Sequence, residues 1–231
     1  MNGTLALVGS GEYLAPMEPV DRLLLARALG EPRVVCLPTA AAPDGPAVAA
    51  RWARMGVEHF TRLGAAAESL PVLDRASADD AALADRVGAA NFVYLSGGKP
   101  DYLYATLKDT RTYRAVLGVL EGGGVVAGCS AGAMIWGGVI PRFRLITPFQ
   151  PAFGLVPDTV ILPHFDEFPG AFATAVHAVM GERTLVGIDG DTALVCSAGR
   201  YTAAGAGGVT VWDRRGRQRY TDGQAVPLGA V

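Results

Sequence analysis

The sequence predicts an α/β fold: a mainly parallel central sheet with helices on both faces, followed by a C-terminal β-meander. Three observations carry this. Short apolar runs alternate with longer amphipathic segments through the first half of the chain, the pattern of strands buried on both faces by crossover helices. Most of these runs end in small or turn-forming residues, at Gly9-Ser10-Gly11, Pro38-Thr39 and Gly97-Gly98. In a parallel sheet such ends share one rim, where sites form. Finally, Val125-Val126-Ala127 passes through Gly128-Cys129-Ser130-Ala131-Gly132 into the helix-like Ala133-Met134-Ile135-Trp136. Strand, Gly-x-Ser-x-Gly and helix in that order describe a nucleophile elbow.

The elements follow in sequence. Leu5–Val8 is a buried strand and Asp21–Leu29 a helix. Arg33–Leu37 is a strand stopped by Pro38, and Pro46–Leu63 a helix with Val48, Trp52, Met55 and Phe60 among its apolar positions. Leu70–Leu73 reads as a short strand, Asp79–Val87 as a helix and Asn91–Leu95 as a strand. Two helices, near Asp101–Leu107 and Arg111–Leu120, lead to the elbow strand. Beyond the elbow, Val160–Pro163 is a strand that delivers His164, and Phe172–Met180 is a helix. Leu185–Ile188, Ala193–Cys196, Val209–Trp212 and Gln218–Tyr220 complete the expected meander, with turns at Gly190, Gly199 and Gly216.

Composition bounds the function. A chain of 231 residues, half of them apolar and 18% charged, is globular and is read as a single domain over 1–231. A net charge of −2 gives no footing for nucleic acid or an anionic membrane. The basic run Arg214–Arg219 straddles an expected hairpin turn and reads as a solvated loop. Three cysteines in apolar settings read as reduced core thiols, no Cys/His spacing suggests a metal site, and no cofactor is expected. The uncharged stretch 122–140 is as long as a bilayer span, but its seven glycines fit the elbow better. With no leader-like pattern at Met1-Asn2-Gly3-Thr4, a cytoplasmic protein is expected. Gly9-Ser10-Gly11 lacks the third glycine of a dinucleotide loop, because position 14 is Leu14.

The elbow supplies the chemistry. A residue on so sharp a turn leaves the ordinary backbone regions, which is tolerable only beside small neighbours, here Gly128, Ala131 and Gly132. The turn exposes the Ser130 hydroxyl and aims the Ala131 N–H at the place where an oxyanion would form. A serine nucleophile needs a base. Of three histidines, His59 and His177 fall in or beside helices and read as structural, whereas His164 sits at a strand end after the serine in chain order. Cys129, one residue early for the elbow centre, is the rival nucleophile.

Four elements in this order carry a family resemblance: Leu95-Ser96-Gly97-Gly98 with Leu103 downstream, Gly128-Cys129-Ser130-Ala131-Gly132-Ala133, Pro163-His164-Phe165, and Gly187-Ile188-Asp189-Gly190-Asp191-Thr192-Ala193-Leu194. Over nearly its whole length the chain resembles the dipeptidase E and cyanophycinase family of serine peptidases, which have a class I glutamine-amidotransferase-like fold. The resemblance implies Ser130 as nucleophile, His164 as base, and Gly98 and Ala131 as the oxyanion hole. It also implies a homodimer and peptide substrates cleaved next to aspartate: Asp-X dipeptides in one branch, β-aspartyl-arginine polymer in the other. Where one branch carries its orienting glutamate this chain has Gly190, and where the other carries its aspartate it has Leu145. The arginines that often follow the histidine are replaced by Asp166-Glu167-Phe168. The residues leave Glu12, Asp166, Asp189 and Asp191 as candidates to orient His164, with Asp191 the expected third member. Arg142 or Arg144, just after the elbow helix, is positioned in sequence to meet an acidic side chain, and Arg142 is the expected substrate contact. The expected function is a serine hydrolase for small acidic, aspartyl or isoaspartyl peptides. A homologue that has kept the pocket but binds without efficient turnover is the alternative.

Overall fold

The structure, a computed structural model, describes residues 2–142 and 149–229. Arg144 and Leu145 lie outside them. In chain order the elements are β1 (Thr4–Val8), α1 (Glu18–Leu25), β2 (Arg33–Leu37), α2 (Pro46–Arg62), β3 (Ala66–Ser69), α3 (Arg75–Ala78), α4 (Ala81–Gly88), β4 (Phe92–Leu95), α5 (Pro100–Leu107), α6 (Arg111–Glu121) and β5 (Val125–Cys129). After the elbow come α7 (Ala131–Met134), β6 (Gly137–Pro141), β7 (Phe149–Pro151), β8 (Val156–Leu162), α8 (Gly170–Val179), β9 (Thr184–Ile188), β10 (Thr192–Ser197), β11 (Arg200–Gly205), β12 (Gly208–Asp213), β13 (Gly216–Thr221) and β14 (Ala225–Val226).

The strands form two sheets. The larger runs β14-β11-β10-β1-β5-β4-β2-β3, and its strands from β1 to β3 are parallel, as the alternation of strands and helices requires. The smaller runs β13-β12-β9-β8-β6-β7, with β8 parallel to both β6 and β9. Successive residues of a strand face opposite sides, and the core divides accordingly. Ala6 and Val8 of β1, with Val34, Cys36, Phe92 and Tyr94, pack beneath α1 and α2. Leu5 and Leu7, with Val35, Leu37, Val93 and Val126, face α4, α5 and α6 and one side of the smaller sheet through Ile161, Val186 and Val209. The other side of that sheet, through Val160, Leu162 and Leu185, is closed by α8.

Three expectations need correction. The third strand is Ala66–Ser69, not Leu70–Leu73; Leu70 and Val72 instead plug the core from a loop and are fully buried. Pro71 between them has no N–H to give a ladder. The region after the elbow holds strands, β6 and β7, where none was expected. The C-terminal strands do not make one meander. β10 joins the larger sheet, antiparallel to β1, and is continued by β11, while β9, β12 and β13 belong to the smaller sheet. No helix among the described residues is long and apolar enough to cross a membrane.

Candidate active site

Ser130 occupies the strained turn at the end of β5, with φ 51° and ψ −110°. Its N–H donates to the Val8 carbonyl at 3.0 Å, and its carbonyl accepts the N–H groups of Ala133 and Met134. The turn therefore sits between β1 and the start of α7. The small neighbours are required: a Cβ on Gly128 would lie 2.1 Å from the Gly132 carbonyl oxygen, and one on Gly132 would lie 2.3 Å from that of Leu95.

His164 meets this serine. It follows β8 in the left-handed region, φ 53° and ψ 36°, and begins a single 3₁₀ turn over Phe165–Glu167. Its Nε2 is 3.1 Å from Ser130 Oγ. Its Nδ1 is 3.2 Å from Glu167 Oε1, at the far end of the same turn. The two bonds fix one tautomer: Nδ1–H donates to the carboxylate, and Nε2 accepts the serine proton. Phe165 anchors the turn. Its ring lies against Gly187, where a Cβ would come within 2.3 Å of ring carbon, and beneath the guanidinium of Arg217 at 5.3 Å. Part of the basic run is thus engaged, since Arg219 also pairs with the buried Asp189 at 2.6 Å.

The four expected acids lie elsewhere. Asp166 Oδ1 accepts the Gly190 N–H at 2.8 Å. Asp189 accepts the Gly208 N–H and pairs with Arg219; burial pushes its carboxyl pKa up, partly offset by that arginine. Asp191, in the left-handed region, donates its N–H to the Ser10 carbonyl and lays its carboxylate against Gly11. Glu12 is buried and bonds Gly97 and Cys129. The partner of His164 is Glu167, which the sequence reading passed over. The signal was present: with Phe165 buried, residues three apart on one turn bring the imidazole and the carboxylate together.

Gly97 and Gly98 follow β4 beside the elbow. A Cβ on Gly97 would lie 3.2 Å from Ser130 Cβ, and one on Gly98, φ 143°, would lie 2.2 Å from the Ala40 carbonyl oxygen. Only glycine lets this loop approach so closely. Arg142 donates to Gln150 and lies 3.7 Å from Asp101, to which Gln150 also donates, so its guanidinium is already engaged within the protein. His59 is buried and bonds Asp21 at 2.8 Å, and His177 stacks on Trp212 at 4.2 Å, so each ring is engaged within the fold. Cys129 is fully buried, and that burial pushes its thiol pKa well up. This environment disfavours a reactive thiolate. Gly9 packs against the Asp189 carbonyl, and Gly11, at φ 85°, against the Asp191 carboxylate, which accounts for the two glycines after β1 by packing and backbone conformation.

Known proteins resemble this chain in fold and sequence. The solved structure of a peptidase from an acI-B1 Actinobacterium superposes with a TM-score of 0.91 at 32% identity, covering 99% of this chain and 98% of its own. A protein assigned as a peptidase E from Listeria monocytogenes EGD-e shares the fold, with a TM-score of 0.66 at 19% identity over 88% of this chain and 98% of its own. The cyanophycinase of Trichormus variabilis is 26% identical over 221 residues, 90% of this chain and 72% of that protein. The profile of peptidase family S51 spans residues 5–203, taking in the elbow, the histidine turn and the Gly97-Gly98 loop, and the chain belongs to that family.

Proposed function

We propose that this chain is a serine-type peptidase for small acidic, aspartyl or isoaspartyl peptides, with Ser130 as nucleophile and His164 as base. The observation that carries the reading is the 3.1 Å approach of His164 Nε2 to the Ser130 hydroxyl on a strained elbow. Ser130 Oγ attacks the scissile carbonyl carbon and passes its proton to Nε2. The N–H groups of Gly98 and Ala131 receive the oxyanion. His164 then gives the proton to the leaving amine, and a water activated by the same nitrogen hydrolyses the acyl-enzyme. Glu167 holds the imidazole through Nδ1. Family membership and the cyanophycinase relatives favour substrates with an aspartyl residue at the cleaved bond.

The test is a fluorophosphonate label followed by a screen of Asp-X and β-Asp-X dipeptides. The expected result is one adduct, at Ser130, lost in a folded Ser130→Ala variant, with hydrolysis confined to aspartyl or isoaspartyl peptides. Labelling that persists in Ser130→Ala would overturn the nucleophile. Cleavage of neutral dipeptides at equal rates would overturn the substrate class.

A further inference from the structure

Glu12 lies just beyond β1 and is buried, and its side-chain hydrogen bonds go to Gly97 and Cys129 rather than to His164. Each of its oxygens has one donor. Oε1 accepts the Gly97 N–H at 3.0 Å, and Oε2 accepts the Cys129 thiol at 2.9 Å. Gly97 immediately precedes Gly98, and Cys129 immediately precedes Ser130. One carboxylate therefore ties the residue before the oxyanion-hole donor to the residue before the nucleophile. The fit is close, because a Cβ on Gly97 would lie 2.9 Å from Glu12 Oε1 and 3.2 Å from Ser130 Cβ. Burial keeps the Cys129 thiol protonated, so it remains a donor. Two facing donors suit a group that accepts at both ends. A carboxylate does so, whereas a carboxamide of the same shape has one accepting oxygen and turns its NH₂ either against the Gly97 N–H or onto the thiol sulfur, a weak acceptor.

Building on the serine-peptidase reading, we propose that Glu12 is a positioning residue that clamps the Gly97-Gly98 loop to the elbow and presets the distance between the oxyanion hole and the nucleophile. Preset donors matter because a hole that must reorganise during reaction loses its advantage. Removal of one oxyanion donor costs about 10²–10³ in kcat, and displacement of one costs part of that.

The experiment compares wild type with Glu12→Gln, Glu12→Asp and Cys129→Ala. It measures the rate of Ser130 phosphonylation per folded molecule, kcat and KM on a cleaved dipeptide, and the amide protons of Gly97 and Gly98 by ¹⁵N NMR. Glu12→Gln should lower the labelling rate and kcat by roughly 10–100-fold, less than the full loss of an oxyanion donor, with KM little changed. The Gly97 amide should move upfield and exchange faster. Glu12→Asp, too short to span both donors, should show the same shift more weakly, and Cys129→Ala, which leaves the Gly97 bond, less again. If Glu12→Gln does not fold, Glu12→Asp and Cys129→Ala carry the same comparison. Labelling at the wild-type rate in Glu12→Gln or Glu12→Asp would overturn the proposal, as would a loss explained wholly by the unfolded fraction. Failure of wild-type Ser130 to label would overturn the peptidase reading instead. The Gly97 and Gly98 amides would still report whether Glu12 holds the loop.

Discussion

The Asp166 carboxylate accepts the backbone N–H of Gly190 at 2.8 Å and lies over the position where the family resemblance looks for an orienting glutamate. A Cβ at residue 190 would sit 3.6 Å from Asp166 Oδ2 and 3.1 Å from Ser10 Oγ, with no left-handed φ to forbid it. A Cβ is tolerated there once the Ser10 hydroxyl gives by a few tenths of an ångström. Electrostatically a glutamate meets a carboxylate already in place. Gly190→Glu should fold, lose some thermal stability and gain no activity. A rise in kcat of an order of magnitude or more would show that residue 190 can reach His164.

Glu167→Gln should lower kcat only modestly. The carboxylate is 63% exposed, and its pair with His164 is open to water. Exposed ion pairs contribute about 0.2–1 kcal/mol, so the loss should not exceed about five-fold. A buried orienting acid would cost about 10⁴. Because the pair is screened, the effect should shrink further as salt is raised. Steady-state kinetics at low and high ionic strength check both statements.

Gly187→Ala should be severe for a residue outside the reacting groups. The added methyl would lie 2.3 Å from the Phe165 ring, which must move and take the His164 turn with it. Overpacking of this kind costs about 1–3 kcal/mol of stability. Activity should fall further than stability does, which a comparison of the melting curve with kcat per folded molecule would reveal.

Cys129 should resist iodoacetamide in the native protein. It is fully buried, and burial first, then the neighbouring Glu12, drive its thiol pKa up. Alkylation mapped by mass spectrometry should appear at Cys129 only under denaturing conditions. Rapid native labelling at that residue, with loss of activity, would revive the cysteine nucleophile.

Asp21→Asn should change the pH dependence of stability. Burial raises the Asp21 pKa above its ordinary value, although His59 pulls it down. A raised carboxyl pKa means the folded state binds more protons than the unfolded state between the two values. Stability from this group is therefore present at low pH and lost as pH rises through that window. The variant keeps an oxygen for His59 but no longer ionises, so its stability relative to wild type should improve as pH rises above about 4. Urea melts across pH 3–7 would show it.

How much was readable varies with what each residue type reports. Leu5–Val8, Arg33–Leu37 and Asn91–Leu95 are apolar on both faces and bounded by turns, so the parallel core was legible. Segments at or beside the sheet edges were not. β3 carries Ala66, Ala67 and Glu68, β11 mixes Arg200 and Tyr201 with small residues, and β6 and β7 are broken by Gly137, Gly138, Pro141 and Pro151. The partition of the C-terminal strands between two sheets is invisible locally, since a strand's sequence does not say which neighbour completes its ladder. Ser130 and His164 were found because an elbow and a strand end have sequence signatures. Glu167 was missed because the candidates were Glu12, the aspartates flanking residue 190 and, on the histidine's own turn, Asp166 alone; the i, i+3 spacing that brings Glu167 to His164 was not weighed.

Ser130 ends a strand of the eight-stranded sheet, and His164 ends a strand of the six-stranded one. The bond between them is thus a gauge of how the two sheets are docked. Apolar packing between layers is non-directional and survives a slip of half an ångström. A hydrogen bond that starts at 3.1 Å does not. On gentle heating or in mild denaturant, turnover should disappear while both sheets still give their full far-ultraviolet signal. Loss of catalysis would then be an early alarm for interlayer slippage, well ahead of unfolding, and a ligand that bridges the two strand ends would act as a splint.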